Sequence, residues 1–295
     1  MTAKAIACSI ALLLPVLLLA PAAGADDAAP LPEISDSGRQ PLWEAGIAGA
    51  VGTTPDYPGS NEYQVRVLPF PYFIYRGSIF RSDENGARVR TQVQSNVELD
   101  VSGGASFASN SSTSGPRAGM PDLEYLLELG PKLKITLDRP TPDMRWLLEL
   151  PVRAVISSDW RHWGYQGVVF APDIAFLDRR VFGSAWTGYF DIGPEFTTAR
   201  YQQYFYQVDP QYALPDRPAY DAHGGYFGSF LELGLSRRLA HHLRVFGYAR
   251  IDDYAGSRSE SSPLFQTKMG YTTFVGLSWS FWQSKETVAR LPDSP

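Results

Sequence analysis

The chain has 295 residues, 13% of them aromatic and only 19% charged, with 26 Lys and Arg against 31 Asp and Glu and a formal charge of −5. That balance excludes a nucleic-acid binder, which needs clustered cations to displace counterions from phosphates. The absence of any apolar run of 18 or more residues excludes a helical membrane protein, yet the charged share falls below the roughly 25% of ordinary soluble domains.

Lys4 precedes a 15-residue apolar run, Ile6 to Ala20, followed by small residues to Ala25 and the acidic pair Asp26 and Asp27. This pattern predicts a secretory signal peptide over residues 1–25, cleaved on export. Cys8 lies inside it, so the mature chain has no cysteine. Disulfides, thiolate zinc sites and a cysteine nucleophile are thereby excluded. Residues 26–42 carry Pro30, Pro32 and Pro41 without periodicity and read as an extended periplasmic lead segment.

From Trp43 onward the hydrophobic pattern has period two. In Lys268 to Phe281 the odd positions include Met269, Tyr271, Val275, Leu277, Trp279 and Phe281, while Gly, Ser and Thr fill most even positions and Phe274 stands among them. Leu123 to Asp138 and Trp146 to Ile156 alternate in the same way. About twelve strands are predicted, near 43–53, 63–76, 77–83, 86–93, 95–107, 122–137, 144–157, 164–178, 183–198, 223–238, 242–253 and 268–282. Many are longer than the five or six residues usual in globular sheets, and a soluble sandwich rarely needs such length. Long alternating strands with aromatics near their ends predict an all-β fold, an antiparallel transmembrane β-barrel over residues 43–282. An even strand number puts both chain ends on the periplasmic side. The longer connections, 198–222 above all, then fall outside the cell, and a periplasmic tail remains at 283–295.

Four features stand in order along the chain: Pro55-Asp-Tyr-Pro-Gly-Ser60, Val67 to Tyr72 (VLPFPY), Asp122 to Gly130 (DLEYLLELG), and Arg200 to Val208 (RYQQYFYQV) with Leu214 to Gly225 (LPDRPAYDAHGG). Together they resemble the MltA-interacting protein (MipA)/OmpV family of outer-membrane proteins. The resemblance implies the outer membrane of a Gram-negative bacterium, with outer-membrane lipid around the barrel. It further implies a scaffold between a lytic transglycosylase and a peptidoglycan synthase; other members of the family are regarded as porins or adhesins. A typical member ends at the last strand, whereas this chain continues past Phe281. Gly276-x-x-Trp279-x-Phe281 still resembles a barrel-assembly signal.

Three function classes remain. An enzyme would need a nucleophile, base and acid on one rim; the histidines, His162, His223, His241 and His242, sit in loops and turns, so no catalytic, cofactor or metal site is expected. For a channel, the inward-facing charges Glu124, Glu128, Lys132, Lys134, Glu149, Arg153, Asp191, Glu232, Arg244 and Arg250 show no dominant sign, which suits a salt-bridged interior at least as well as a selective pore. A turn centred on Pro140 and Thr141 would set Glu128 opposite Arg153 and Lys132 opposite Glu149, a lumenal charge ladder. Tyr201, Tyr204, Tyr206, Tyr212 and Tyr220 predict an ordered extracellular aromatic lid in the loop 199–222. A closed scaffold is the expected function, with a narrow substrate-specific porin or a surface adhesin as the alternative.

Overall fold

The computed structural model describes residues 39–76, 80–83, 86–89, 91–94, 96–111, 115–240 and 242–289. The expected signal peptide, most of the lead segment and the end of the tail lie outside the described residues. The strands are β1 (Arg39–Pro41), β2 (Trp43–Pro55), β3 (Tyr63–Arg76), β4 (Phe80–Asp83), β5 (Gly86–Val89), β6 (Thr91–Gln94), β7 (Val97–Ser106) and β8 (Tyr125–Thr141). There follow β9 (Met144–Ser158), β10 (Trp163–Phe170), β11 (Asp173–Asp178), β12 (Thr187–Thr197), β13 (Gly225–Ala240), β14 (Leu243–Asp253), β15 (Met269–Gln283) and β16 (Thr287–Ala289). One α-helix, α1 (Ala199–Tyr206), interrupts this series.

Fourteen segments form one antiparallel sheet in the order β5-β4-β3-β2-β15-β14-β13-β12-β10-β9-β8-β7-β6, and β11 continues β10 between the same neighbours, β9 and β12. The break between β10 and β11 falls at Ala171 and Pro172, where proline has no N–H for the ladder. β5 packs beside β7 and closes the sheet into a barrel. Among the described residues β4 meets β3 at Tyr75 and Arg76. Counting β10 with β11, and β5 with β6, as single wall positions reduces the fourteen segments to twelve, the number expected.

The period-two pattern sorts the wall into two faces. Ile47, Val65, Val67, Leu129, Val152, Val275, Leu277 and Trp279 point outward and are exposed on the isolated chain. A continuous apolar surface of this kind is unfavourable in water and satisfied by hydrocarbon, and a closed ladder leaves few backbone groups facing lipid unpaired. The alternate residues fill the lumen. Phe274, on the polar face of its strand, joins Ala50, Phe246 and Tyr248 in an internal apolar cluster. A Cβ at Gly52 would clash with its ring and with the Thr273 carbonyl, and Phe246 crowds Gly276 in the same way. Glycine on this face therefore makes room for rings that fill the barrel.

Connections at one end are short, as at 142–143 and 241–242; those at the other, 56–62, 107–124, 159–162, 198–224 and 254–268, are mostly long. β2 begins and β15 ends at the short-turn end. There β1 and β16 pair, Gln40 opposite Val288, and Leu42 N–H donates to the Glu286 carbonyl at 2.8 Å. The end of the lead and the start of the tail are thus tied to each other.

Candidate functional site: a lidded, charge-filled lumen

The β8–β9 hairpin turns at Pro142 and Asp143, two residues beyond the expected centre, because proline presets the first corner and Asp143 N–H donates to Thr141 Oγ1 at 3.3 Å. The register shifts with it. Glu128 opposes Val155, Lys132 opposes Pro151, and Lys134 opposes Glu149, so the direct pairing expected for the ladder is corrected. The charges nevertheless meet. Arg153 Nε lies 2.8 Å from Glu128 Oε2, and Lys132 Nζ lies 2.8 Å from Glu149 Oε2. Arg and Lys are long enough to span diagonal neighbours, so sign and face were sufficient where register was not. Lys134 extends the ladder to β7, reaching Asp100 at 3.2 Å and Glu149 at 3.4 Å.

A second cluster is centred on Arg250, which binds Glu232 at 2.6 Å, Asp252 at 2.7 Å and Glu195 at 3.2 Å, while its guanidinium lies 4.6 Å from the Phe230 ring centre. Glu232 directly opposes Arg250 across β13 and β14. Asp252, near the end of β14, is buried because alternation puts it on the same face as Arg250. Glu195 shares its face with Asp191 for the same reason. Parity carried through to the strand ends would have found both.

Above these charges the loop 198–224 folds back over the mouth. Tyr201, Phe205 and Tyr206 of α1 are buried with Tyr57, Leu126, Phe227, Tyr254 and Leu264, and Tyr204, Tyr212 and Tyr220 pack against that cluster. All five predicted tyrosines therefore come together in one lid. Its fastenings come from the other long loops. Arg117 Nη1 donates to the Phe205 carbonyl at 2.7 Å, satisfying a backbone acceptor near the helix C-terminus. Tyr206 Oη donates to the Pro58 carbonyl at 2.7 Å, Tyr204 Oη to the Glu124 carbonyl at 3.1 Å, and Ser262 Oγ to the Tyr206 carbonyl at 2.9 Å. Arg217 joins in through the carbonyls of Pro116 and Ala118. Tyr57, from the Pro-Asp-Tyr-Pro-Gly-Ser stretch, donates to the Leu264 carbonyl at 2.7 Å.

Burial pushes the phenols of Tyr57 and Tyr204 well above the ordinary tyrosine range, an effect that the nearby Arg117 guanidinium partly opposes. On the short loop between β9 and β10, Asp159 is held far below the usual carboxylate range, first by the His162 backbone N–H and then by the His162 ring. That bond in turn raises His162. Trp160 beside them is exposed, and its ring centre lies 5.8 Å from that of Tyr125, as expected of an aromatic girdle at the membrane surface.

Between lid and charges lies a cavity of about 90 Å³, bounded by Tyr201 and Phe205 above and by Glu128, Arg153, Glu195 and Arg250 below. Among the described residues no three His, Asp or Glu side chains converge to hold a metal ion.

A closed antiparallel wall, apolar outside and charged within, with short turns at one end and long loops at the other, defines an outer-membrane β-barrel. The chain belongs to the family described as MltA-interacting protein MipA, whose model matches residues 47–281. No curated protein matches it in sequence. Similar solved structures include the translocator domain of the autotransporter NalP from Neisseria meningitidis, at 9% identity and TM-score 0.41, covering 82% of this chain and 89% of that one. The outer membrane phospholipase A from Escherichia coli is 11% identical with TM-score 0.33, covering 80% and 92%. The CymD monoaromatic hydrocarbon channel is 12% identical with TM-score 0.34, covering 82% and 89%. The protein resides in the outer membrane of a Gram-negative bacterium.

Proposed function

We propose that this barrel is a closed scaffold for cell-wall remodelling enzymes rather than an open pore or an enzyme. The observation that carries the reading is the filled lumen: ion pairs join β7, β8 and β9 and a second set joins β12, β13 and β14, beneath a lid fastened by three other loops. A water-filled channel needs an uninterrupted polar path, and buried cross-lumen pairs oppose one. The family's description names MltA as what its members interact with; the partners proposed here, a lytic transglycosylase and a peptidoglycan synthase, are those that the sequence resemblance implies. By the barrel convention the short-turn end faces the periplasm. The β1–β16 ribbon at that end is then the surface nearest the cell wall. A non-enzymatic role is supported by the histidines: His162 pairs with Asp159 on an exposed loop, His223 and His242 are exposed, and none joins a hydrogen-bonded nucleophile set among the described residues.

Two measurements test the reading. Purified protein in a planar bilayer should give no steady conductance, and cross-linking in intact envelopes should capture a lytic transglycosylase. The second reading, a narrow porin gated by its lid, is favoured by the cavity under α1. Steady single-channel steps without cross-linked cell-wall enzymes would select it.

A further inference from the structure

We propose that the outer wall near the short-turn end holds an anionic phospholipid of the inner leaflet, with Arg237 on the lipid phosphate and Phe182 among the acyl chains. Arg237 lies on β13 with its side chain outward, between Leu235 and Leu239, which are exposed on the same face. Its guanidinium lies 5.9 Å from the Trp186 ring centre, and among the described residues no carboxylate pairs with it. A cation on a lipid-facing strand is costly, and the cost falls away only near the headgroups. Arg237 opposes Val245, one outward layer from the pair of Leu243 and Trp279. Trp186 and Trp279 thus place it at an aromatic belt, the level of the headgroups. The anion that these surroundings supply is a lipid phosphate, whose oxygens a guanidinium can bond in pairs.

The turn 179–186, between β11 and β12, supplies the second part. Gly188 opposes Leu235 on the outward face, and a Cβ on Gly188 would stand 2.8 Å from Val181 Cγ2 and 3.1 Å from Leu235 Cδ2. The missing side chain seats Val181 on the outer wall, so the turn folds back along the side that meets lipid. Phe182 at its tip is fully exposed and has φ +52°. Bulky residues rarely adopt this left-handed conformation, which persists only where the surrounding structure holds it. Here Val181 N–H donates to the Trp186 carbonyl at 2.9 Å, and Ser184 Oγ donates to the Val181 carbonyl at 2.6 Å. Arg180 pairs with Asp143 of the neighbouring turn at 2.7 Å. The turn is therefore a fastened mount for one exposed ring.

These features favour a lipid over a periplasmic protein. Val181 and Leu235 set the turn against the lipid-facing wall, where a phenyl ring leaves water by entering acyl chains. The charge of Arg180 is taken by Asp143, which leaves Arg237, on that same wall, as the cation that calls for an anion. A headgroup with no cation of its own suits it best. The short turns face the periplasm by the barrel convention, so the lipid belongs to the inner leaflet.

The test uses the full mature protein folded into phosphatidylcholine vesicles doped with phosphatidylglycerol. Phe182→Cys, labelled with a fluorophore in the otherwise cysteine-free mature chain, should be quenched by lipids brominated on their acyl chains. The same label on Pro140→Cys, at the exposed tip of the β8–β9 hairpin, should not. Native mass spectrometry of protein released from the vesicles then reads the lipid retained. Phosphatidylglycerol should be kept in preference to phosphatidylcholine, and Arg237→Gln should lower that preference about tenfold, the equivalent of one charge-assisted hydrogen bond. Phe182→Gly suits the positive φ and serves as the second variant should Arg237→Gln misfold, with a several-fold loss of retained lipid expected. Excess inorganic phosphate should leave the lipid in place. An unquenched label at 182, wild-type retention in both folded variants, displacement by inorganic phosphate, or cross-linking of position 182 to a periplasmic protein in intact envelopes would each overturn the assignment.

Discussion

Replacing Arg250 with Met isolates what the charge cluster contributes. Methionine keeps the unbranched stem and its packing on Phe230 but removes the group that Glu232, Asp252 and Glu195 share. Three charge-assisted hydrogen bonds at about 1.5–3 kcal/mol each would suggest more than 4 kcal/mol. The terms do not add, because the carboxylates left behind can relax toward the cavity. Breaking a buried pair by removing one partner costs about 3–5 kcal/mol, and that is the expected loss. Lysine at 250 retains the charge but offers one compact head in place of a planar fork, so Arg250→Lys should fall between methionine and wild type. Combining Arg250→Met with Glu232→Gln should recover part of the loss by removing one stranded charge. Urea unfolding in lipid vesicles, followed by tryptophan fluorescence and by heat-modifiable gel mobility, measures all four proteins. A methionine variant within about 0.5 kcal/mol of wild type, the range of an exposed substitution, would refute the reasoning, since the cluster would then behave as a solvated surface network.

Other outcomes follow from the same geometry. Cysteines at 128 and 155, directly opposed, should form a disulfide in the cysteine-free mature chain; cysteines at 128 and 153, diagonal at about 7–8 Å, should not. Efficient linking of the second pair alone would restore the register read from sequence. The lid should loosen at alkaline pH. Tyr57 and Tyr204 have phenol pKa values raised by burial, so their stabilising contribution is fully present below about pH 10, the unfolded value, and is lost as pH rises toward their folded values. Phenolate absorbance rising together with protease cutting in 198–224 is the expected signature; ionisation of these phenols near pH 10 with the lid intact would contradict it. Val275→Arg, midway along β15 on the outward face, should cost about 2–4 kcal/mol in lipid-vesicle folding measurements, and a neutral result would mean that this face does not meet hydrocarbon.

Sequence by itself determined the wall. Strand number, the faces of β8, β9 and β15, the end from which the long loops leave, and the burial of Lys132, Glu149 and Arg153 all follow from a period of two, because burial on one face is a property of parity and needs no partner to be known. Parity also contained Glu195 and Asp252. Register was not legible, since Thr136 to Thr141 carries two bulged steps and a turn choice that only the closed hairpin fixes. Nor was the company that each charge keeps. Arg250 draws carboxylates from β12, β13 and β14, and Arg117, remote in sequence, closes the helix of the lid. The five tyrosines of 199–222 were visible as aromatic residues in a long loop; their convergence required Pro58, Glu124 and Ser262 from three other loops. Alternation is written along one chain, whereas register, diagonal ion pairs and loop packing depend on distances between segments and exist only once the barrel has closed.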